Sequence, residues 1–481
     1  MQRTCMNRHE TAASRRPVGP ITTTMNSTIK RLLITAVTAF CLIATNNSNA
    51  AEGEQANVPD LFVGLVLRDR GSPAIMLERI DNNWHPGMIP MALETLHFMR
   101  GSSTADRLLE ILEKHSEQSY GMDIDSWYHW LWKQPENRHP HYAKFKSLLY
   151  RNLDPKFAEY FDDTRKTTVR LDEIRWGGVK QDGIPPLRNP KMVAATNAGY
   201  LADTDVVFAL KYGDDARAYP KRILAWHEMF VDKIDGVEYA GVYCTLCGAL
   251  ILYHTLHNNE NHALGTSGFL YRSNKVMYDQ QTQSLWNTTF GEPIVGPLVD
   301  KGIALQRNHV ITTTWGEWKR RHPETTVLSL DTGHSRNYDE GVAYQRYFAT
   351  DELMFTVPET DDRLANKAEI LALQFPQQGT QTVAIHDEFL IKNPVYQHKV
   401  GQQSVVILTD SSGANRVYDA ADIIFTDYNG DHQVTDEENR VWRLSEATLT
   451  ADDGRTLERL PAHRAFWFGW FAVHPDTELI M

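Results

Sequence analysis

Two cysteines three positions apart, Cys244 and Cys247, are the residues of this chain whose type and spacing most clearly point to chemistry. They stand in Gly241-Val242-Tyr243-Cys244-Thr245-Leu246-Cys247-Gly248-Ala249-Leu250, between two apolar, strand-like runs. A Cys-x-x-Cys pair that opens a helix is suited to thiol exchange, because the helix N-terminus lowers the first thiol's pKa. A pair at a tight turn between strands is similar to a metal knuckle. Both sulfurs then point to one side, and a following Gly at positive φ lets backbone N–H groups face them. The flanking runs predict the turn. Three chemistries stay open for it: a metal site, a short-loop disulfide, and a thiol–disulfide redox centre. So local a disulfide constrains the unfolded chain little, so stability alone is a thin reason for one.

A knuckle supplies two ligands, whereas tetrahedral zinc takes four, or three and a water. The nearest further donors stand in Trp226-His227-Glu228-Met229, and His227 is the expected third ligand, with Met277 as a fourth. Two thiolates, an imidazole and a thioether form a soft set that suits copper, with zinc as the other expected metal. The competing readings are a hydrogen-bonded structural role for His227 and core packing for Met277. The expected function is therefore an exported copper- or zinc-binding protein, with metal-dependent oxidoreduction as its reaction if it is an enzyme. Two alternatives stand beside it. One is a non-catalytic exported ligand-binding module with Cys244–Cys247 as a disulfide, whose pocket would draw on Trp226, Glu228, Tyr271, Tyr278, Asp279 and Trp286. The other is a thiol–disulfide redox protein.

Other constellations are weaker. Asp427, Asn429, Asp431 and Glu438 occupy positions one, three, five and twelve of a calcium-like loop. His432 replaces the Gly that such a loop needs at position six, and a solvated acidic turn is the better reading. His254, His257 and His262 follow the second run in a polar stretch that reads as surface loop. Asp279 and Glu292 are candidate acid–base carboxylates with nothing in the sequence to bring them together. No Gly-x-Ser-x-Gly, no phosphate loop after a strand and no His-Glu-x-x-His occurs, which disfavours serine hydrolases, nucleotide enzymes and zinc proteases.

The elements that must position the cysteines begin after a targeting segment. Lys30-Arg31, an apolar run from Leu32 to Ala44 and the small residues Ser48-Asn49-Ala50 make the three regions of a secretory signal, with cleavage expected after Ala50. Residues 1–24 add nothing such a signal needs, so Met25 is the expected start. Arg15-Arg16 is followed directly by Pro17 and stands far from the apolar run, which disfavours twin-arginine export. Removing residues 1–50 takes away six basic residues and one acidic one, so the formal charge of −12 becomes about −17. That balance argues against nucleic acid or an anionic membrane surface as partner. No later stretch reaches the length of a membrane span. Cys5 and Cys41 leave with the signal, so the mature chain, periplasmic or secreted, is no disulfide-stapled scaffold.

The expected fold is α+β: a helical N-terminal region over 51–165, then a duplicated, mainly β domain with the Cys-x-x-Cys-Gly turn in its first half. Met88 to Arg100 and Ala105 to His115 carry apolar residues three and four apart, as amphipathic helices do. From about Ile174, short β-rich runs bounded by turn residues take over. Trp315-x-x-Trp318-x-x-x-His322-Pro323-Glu324-Thr325 recurs as Trp467-x-x-Trp470-x-x-x-His474-Pro475-Asp476-Thr477. A fainter echo pairs Val206 to Tyr219 with Val405 to Tyr418. Together they predict halves over 166–335 and 336–481, the second a pseudo-repeat that shapes or covers the cysteine site.

A longer series then carries a resemblance. It runs from Asp182-Gly183-Ile184-Pro185 through Ala216-Arg217-Ala218-Tyr219-Pro220 and Ile223-Leu224-Ala225-Trp226-His227-Glu228 to the cysteine turn. Ser267-Gly268-Phe269-Leu270-Tyr271-Arg272-Ser273, Met277-Tyr278-Asp279, Thr282-Gln283-Ser284-Leu285-Trp286 and Gly291-Glu292-Pro293-Ile294-Val295-Gly296-Pro297-Leu298 follow in order. Over roughly 170–481 the chain resembles the bacterial family known as domain of unknown function 3179. The resemblance implies membership and leaves the activity open. Members typically show Pro between the cysteines and Thr after the Gly, where this chain has Thr245 and Ala249, a change that removes no ligand but loosens the turn.

Overall fold

Helix signals in the first hundred described residues are local and strong. The computed structural model describes residues 57–69 and 71–481; the segment expected to be a secretory signal, Cys5, Cys41 and both candidate starts lie outside the described residues. Helices run over Val58–Leu67, Pro73–Asn82, Ile89–Phe98, Ser103–Ser116, Ile124–Trp132 and Tyr142–Tyr150. Ser103–Ser116 shows why: the Ser102 hydroxyl accepts the Ala105 N–H at 3.2 Å, and Ala105, Leu108, Ile111 and Leu112 form one buried face. These helices do not close a core alone. Phe269, Tyr271, Val276 and Tyr278 complete it, from the strands Leu264–Tyr271 and Asn274–Asp279. Those two strands belong to an antiparallel sheet with Ile174–Trp176 at one edge and Leu285–Asn287 and Glu292–Val295 on the other side.

The chain is thus α+β, helices first and a largely β region after them. Two sheets of that region share a plan. In one, the hairpin Val206–Tyr212/Asp215–Pro220 is flanked by Ile311–Thr314 running antiparallel and Thr326–Leu328 running parallel. In the other, the hairpin Glu369–Gln374/Thr382–His386 is flanked by His463–Phe466 antiparallel and Glu478–Ile480 parallel. A short helix joins the flanking strands in each, Trp315–Arg321 and Trp467–Phe471. The recurring Trp and Thr meet in both: Trp318 Nε1 donates to Thr325 Oγ1 at 2.8 Å, and Trp470 Nε1 to Thr477 Oγ1 at 3.0 Å. The fainter echo fares differently. Val206 to Tyr219 lies in the first of these sheets, whereas Val405 to Tyr418 lies in a separate three-stranded sheet of Val395–Val400, Gln403–Thr409 and Asn415–Asp419. A strand–turn–strand with an Arg-x-Tyr ending is too common a pattern to register two halves.

Where the hairpin ends go matters most for the site. The strands Val237–Cys244 and Ala249–His254 pair antiparallel, with Cys244 opposite Ala249 at the tip. Ala249 enters a core built by Ile370, Ala372, Ala384, Trp467 and Trp470. The hairpin Gln403–Thr409/Asn415–Asp419 answers it. Its Ala414 enters a core of Val207, Ala209, Ala218, Trp315 and Trp318. Each part of the β region therefore plugs a hairpin end into the other's Trp-bearing core, and Val58–Met481 forms one compact unit. Among the described residues, no helix is long and apolar enough to cross a membrane.

Candidate functional site

Three left-handed turns bring the side chains of the site together. The first is Gly248, at φ +63, which turns the chain after Cys247 into Ala249. A Cβ at Gly248 would stand 3.0 Å from the Phe466 ring, so the close approach as well as the backbone favours glycine. The second is Glu228, at φ +53, which ends the helix Lys221–His227. Its N–H donates to the Leu224 carbonyl at 2.7 Å and its carbonyl accepts the Tyr243 N–H at 2.9 Å, which sets it beside the cysteine strand. The third is Arg272-Ser273, at φ +48 and +63, a two-residue hairpin turn of the kind that needs positive φ at both positions. Non-Gly residues held there cost about 1 kcal/mol or more each, and such strain concentrates at functional sites.

The turns converge on two free, buried thiols, Cys244 at 4% and Cys247 at 1% exposure. The Cys247 N–H donates to the Cys244 carbonyl at 3.2 Å, which tightens the tip. The Cys247 thiol has two acceptors for its one hydrogen, the Ser273 carbonyl at 3.5 Å and the Cys244 sulfur. Their acidities are split. Burial pushes both thiols up, but the Cys247 hydrogen bond and the backbone N–H groups of Lys275 and Cys247 hold Cys244 below its ordinary value in spite of Glu228. Cys247 is driven well above its ordinary value by burial, by donating to Cys244, and by the negative charges of Cys244 and Glu228. Cys244 is thus the more acidic thiol of the two.

The charged neighbours are themselves buried. Lys275 Nζ meets Glu228 Oε2 at 2.6 Å, with side-chain exposures of 6% and 9%. Tyr344 donates to the other carboxylate oxygen at 3.2 Å. Glu228, Lys275, Leu246 and Tyr344 line a narrow cleft of about 60 Å³ whose outer wall includes Met354 and Phe355. Behind the thiols the second Trp-bearing element closes the site: the Phe466 N–H donates to the Cys247 carbonyl at 2.7 Å. A Cβ at Gly469 would stand 2.8 Å from Cys247 Cβ, so the helix Trp467–Phe471 lies directly on the cysteine.

Other residues singled out from the sequence are placed elsewhere. His227 is fully buried, its Nδ1 2.9 Å from the Pro185 carbonyl and its Nε2 2.6 Å from the Tyr338 hydroxyl. Burial, only partly opposed by the Pro185 carbonyl, pushes it down to about 4, so the ring is neutral. Met277 and Trp286 pack in a separate core with Met229, Val231 and Ala240. Asp279 is fully buried and caps its own turn, accepting the Thr282 hydroxyl at 2.6 Å and the Ser284 N–H at 3.2 Å. Tyr278 donates to Asp182 at 2.6 Å, Tyr271 belongs to the helical core, and half-buried Trp226 donates to the Asn337 carbonyl at 2.8 Å. Of the six pocket residues expected, only Glu228 lines the cleft. Glu292 is exposed at a strand start, and His262 is buried against Trp286 with neither ring nitrogen hydrogen-bonded.

The calcium-like segment is a hairpin. Phe425–Tyr428 pairs with Gln433–Asp436, the Asn429 carboxamide caps the turn, Asp431 pairs with Arg320 at 2.7 Å, and Glu438 pairs with Arg440. Asp427 faces away as an exposed strand residue. Among the described residues, no three His, Cys, Asp or Glu side chains gather into a set that could hold a metal ion. Lys275 and Tyr344 had no sequence signal: each meets Glu228 across many residues of chain, and nothing in their local pattern marks them.

Fold and site together define an α+β protein with a dithiol held at a hairpin tip beneath a second β element. The family described as protein of unknown function, DUF3179, matches residues 181–477, and the chain belongs to that family. No curated protein and no solved structure matches the chain.

Proposed function

We propose that this is an exported thiol–disulfide redox protein whose centre is Cys244–Cys247. The observation that carries the reading is the pair of free, buried thiols at the hairpin tip, beside the buried Glu228–Lys275 ion pair that lines the adjoining cleft. Their burial favours a small partner reaching the tip through the cleft over a folded protein substrate. With a low-molecular-weight disulfide as oxidant, the Cys244 thiolate attacks one of its sulfurs and the other half leaves as a thiolate. Cys247 then gives its proton to Glu228 and attacks the Cys244 sulfur, which releases the second half as a thiolate. The pair loses two electrons and one proton; that proton, passed on by Glu228, and a second from water turn the two released thiolates into two thiols. Lys275 holds Glu228 in place and balances its charge in both states.

A second reading, copper or zinc at the same sulfurs, is favoured by the two backbone N–H groups on Cys244, an arrangement that also suits a metal-bound thiolate. His227 and Met277 have other partners in this conformation, so a metal would complete its ligand set with exogenous donors or a second chain. We also infer that the β region is a duplicated unit with halves near 166–335 and 336–481. The shared strand plan, the repeated Trp–Thr bond and the reciprocal hairpin ends support it.

The test is a redox titration against glutathione couples, with alkylation and mass analysis of Cys244 and Cys247, alongside elemental analysis of protein from its native compartment. A reversible two-electron transition above about −270 mV supports the redox reading. A pair that stays oxidised below about −300 mV sinks it and leaves a structural disulfide in a binding module. One equivalent of copper or zinc, lost in Cys244→Ser, establishes the metal reading instead.

A further inference from the structure

Arg175 is a guanidinium without hydrogen bonds, standing where a ligand could reach it. It lies on the edge strand Ile174–Trp176, opposite Leu270. Its side chain is only 18% exposed and its guanidinium carbon sits 4.3 Å over the Tyr128 ring. Its ion-pair partner is Asp125, at 3.6 Å and 65% exposed, too far for a hydrogen bond and mostly in water. Buried Nη1 has no hydrogen-bond partner. Half-buried arginines ordinarily satisfy most of their five donors, so one left unmatched calls for an explanation.

The guanidinium lines a cavity of about 230 Å³ between the helical region and the sheet. Phe98, Tyr150, Trp176 and Phe355 supply its aromatic walls. Glu94 also lines it; its Oε1 is paired with Lys146 at 2.9 Å and with the Tyr142 hydroxyl, while its buried Oε2 has no hydrogen-bond partner. Arg175 therefore brings to a largely aromatic space, shared with Glu94 and His97, a guanidinium whose one counter-charge is the distant and mostly solvated Asp125. Arginine recognises planar carboxylates in particular, through two parallel N–H···O bonds. Aromatic walls around it favour a flat apolar body attached to that carboxylate.

We propose that this cavity binds a small aromatic or similarly planar monocarboxylate, with Arg175 on the carboxylate and Trp176, Phe98 and Phe355 around the ring. The site is separate from the thiols and does not depend on their chemistry, although Phe355 also borders the cleft beside Glu228.

Three probes that share a ring and differ in charge decide the matter. Benzoate, benzamide and benzylamine are titrated into the mature protein by calorimetry, with saturation-transfer NMR to detect weak binding. Benzoate is expected to bind at least about tenfold more tightly than either analogue, the ratio a charge-assisted bond to Arg175 supports. In Arg175→Met, which keeps an apolar side chain on Tyr128, its affinity should fall to that of benzamide. Benzoate that binds no better than benzamide overturns the proposal, and that comparison needs no variant to fold. Benzoate affinity unchanged in a folded Arg175→Met, or benzylamine as the tightest probe, overturns it equally.

Discussion

Replacing Lys275 by Met tests whether the cysteine site depends on a buried charge pair. The ammonium and the Glu228 carboxylate meet at 2.6 Å with under a tenth of either side chain exposed. At that distance and an effective dielectric constant of about 20, their gross attraction is about 6 kcal/mol. Desolvating both groups offsets most of it, so the intact pair adds little net stability. Breaking it is different. Lys275→Met leaves the Glu228 carboxylate buried with only the Tyr344 hydroxyl at 3.2 Å, and about 3–5 kcal/mol should be lost. Glu228→Gln should cost a comparable amount by stranding the ammonium. The double variant removes both charges and should cost well under the sum, with a coupling of about 2 kcal/mol or more. Urea unfolding of the reduced protein gives all three values. Alkylation gives an independent reading: Glu228→Gln removes a charge that raises Cys247, so the pH at which Cys247 becomes reactive should fall. Single losses under about 1 kcal/mol, or additive ones, would refute the reasoning.

Gly469→Ala places a methyl 2.8 Å from Cys247 Cβ and should destabilise the fold by about 1–3 kcal/mol in urea, whereas a neutral outcome would mean that the helix Trp467–Phe471 does not lie on the cysteine. Burial would raise Glu446, but Arg416, the His322 hydrogen bond and Arg459 hold it well below 4.5. A depressed carboxylate contributes stability above its unfolded pKa and loses it as pH falls through the folded one, so Glu446→Gln should lower stability at pH 7 and flatten its decline below about pH 4.5. Burial, with the charge of Arg307, pushes His463 down from 6.5 to about 3, so its neutral ring contributes stability that is full above about pH 6.5 and lost toward pH 3. His463→Gln should remove up to about 1.4 kcal/mol per pH unit from that slope in thermal melts, and an unchanged slope would show that the ring is not held neutral.

Local signals made much of this architecture legible. Helices with a capped start and an apolar face could be read because their information spans a single turn or two, as Ser102 and the Leu108–Leu112 stripe show. The Trp-x-x-Trp…Thr repeat could be read because an indole and a hydroxyl bonded within one short motif must recur together. Pairs made across long stretches of chain could not. Glu228 and Lys275 meet only because two separate turns deliver them, and neither turn advertises its destination. His227 drew notice as the nearest further donor upstream of the cysteines, yet a helix end points consecutive residues in different directions. Its ring faces Pro185 and Tyr338, while the carboxylate of the next residue meets Lys275 and Tyr344.

The reciprocal hairpin ends explain why two cysteines of a hairpin tip sit in a core. Hairpin tips are usually exposed, and a Cys-x-x-Cys pair left there would meet any thiol in its compartment. Here the tip must be buried, because Ala249 beside it fills the core under Trp467 and Trp470. The matching tip at Asp410–Ala414 has the same obligation toward Trp315 and Trp318, but meets it differently. Its Asp410 binds Arg416 at 2.8 Å, within a buried set that includes Glu446 and Arg459. Burying a tip leaves polar turn groups that need partners, and one end finds them in arginines and carboxylates. The other carries two thiols, which tolerate burial as weakly polar groups. The two tips therefore differ in chemistry: one is tied down by Asp410, Arg416 and Glu446, whereas the other carries two free thiols, the groups that the proposed exchange would use.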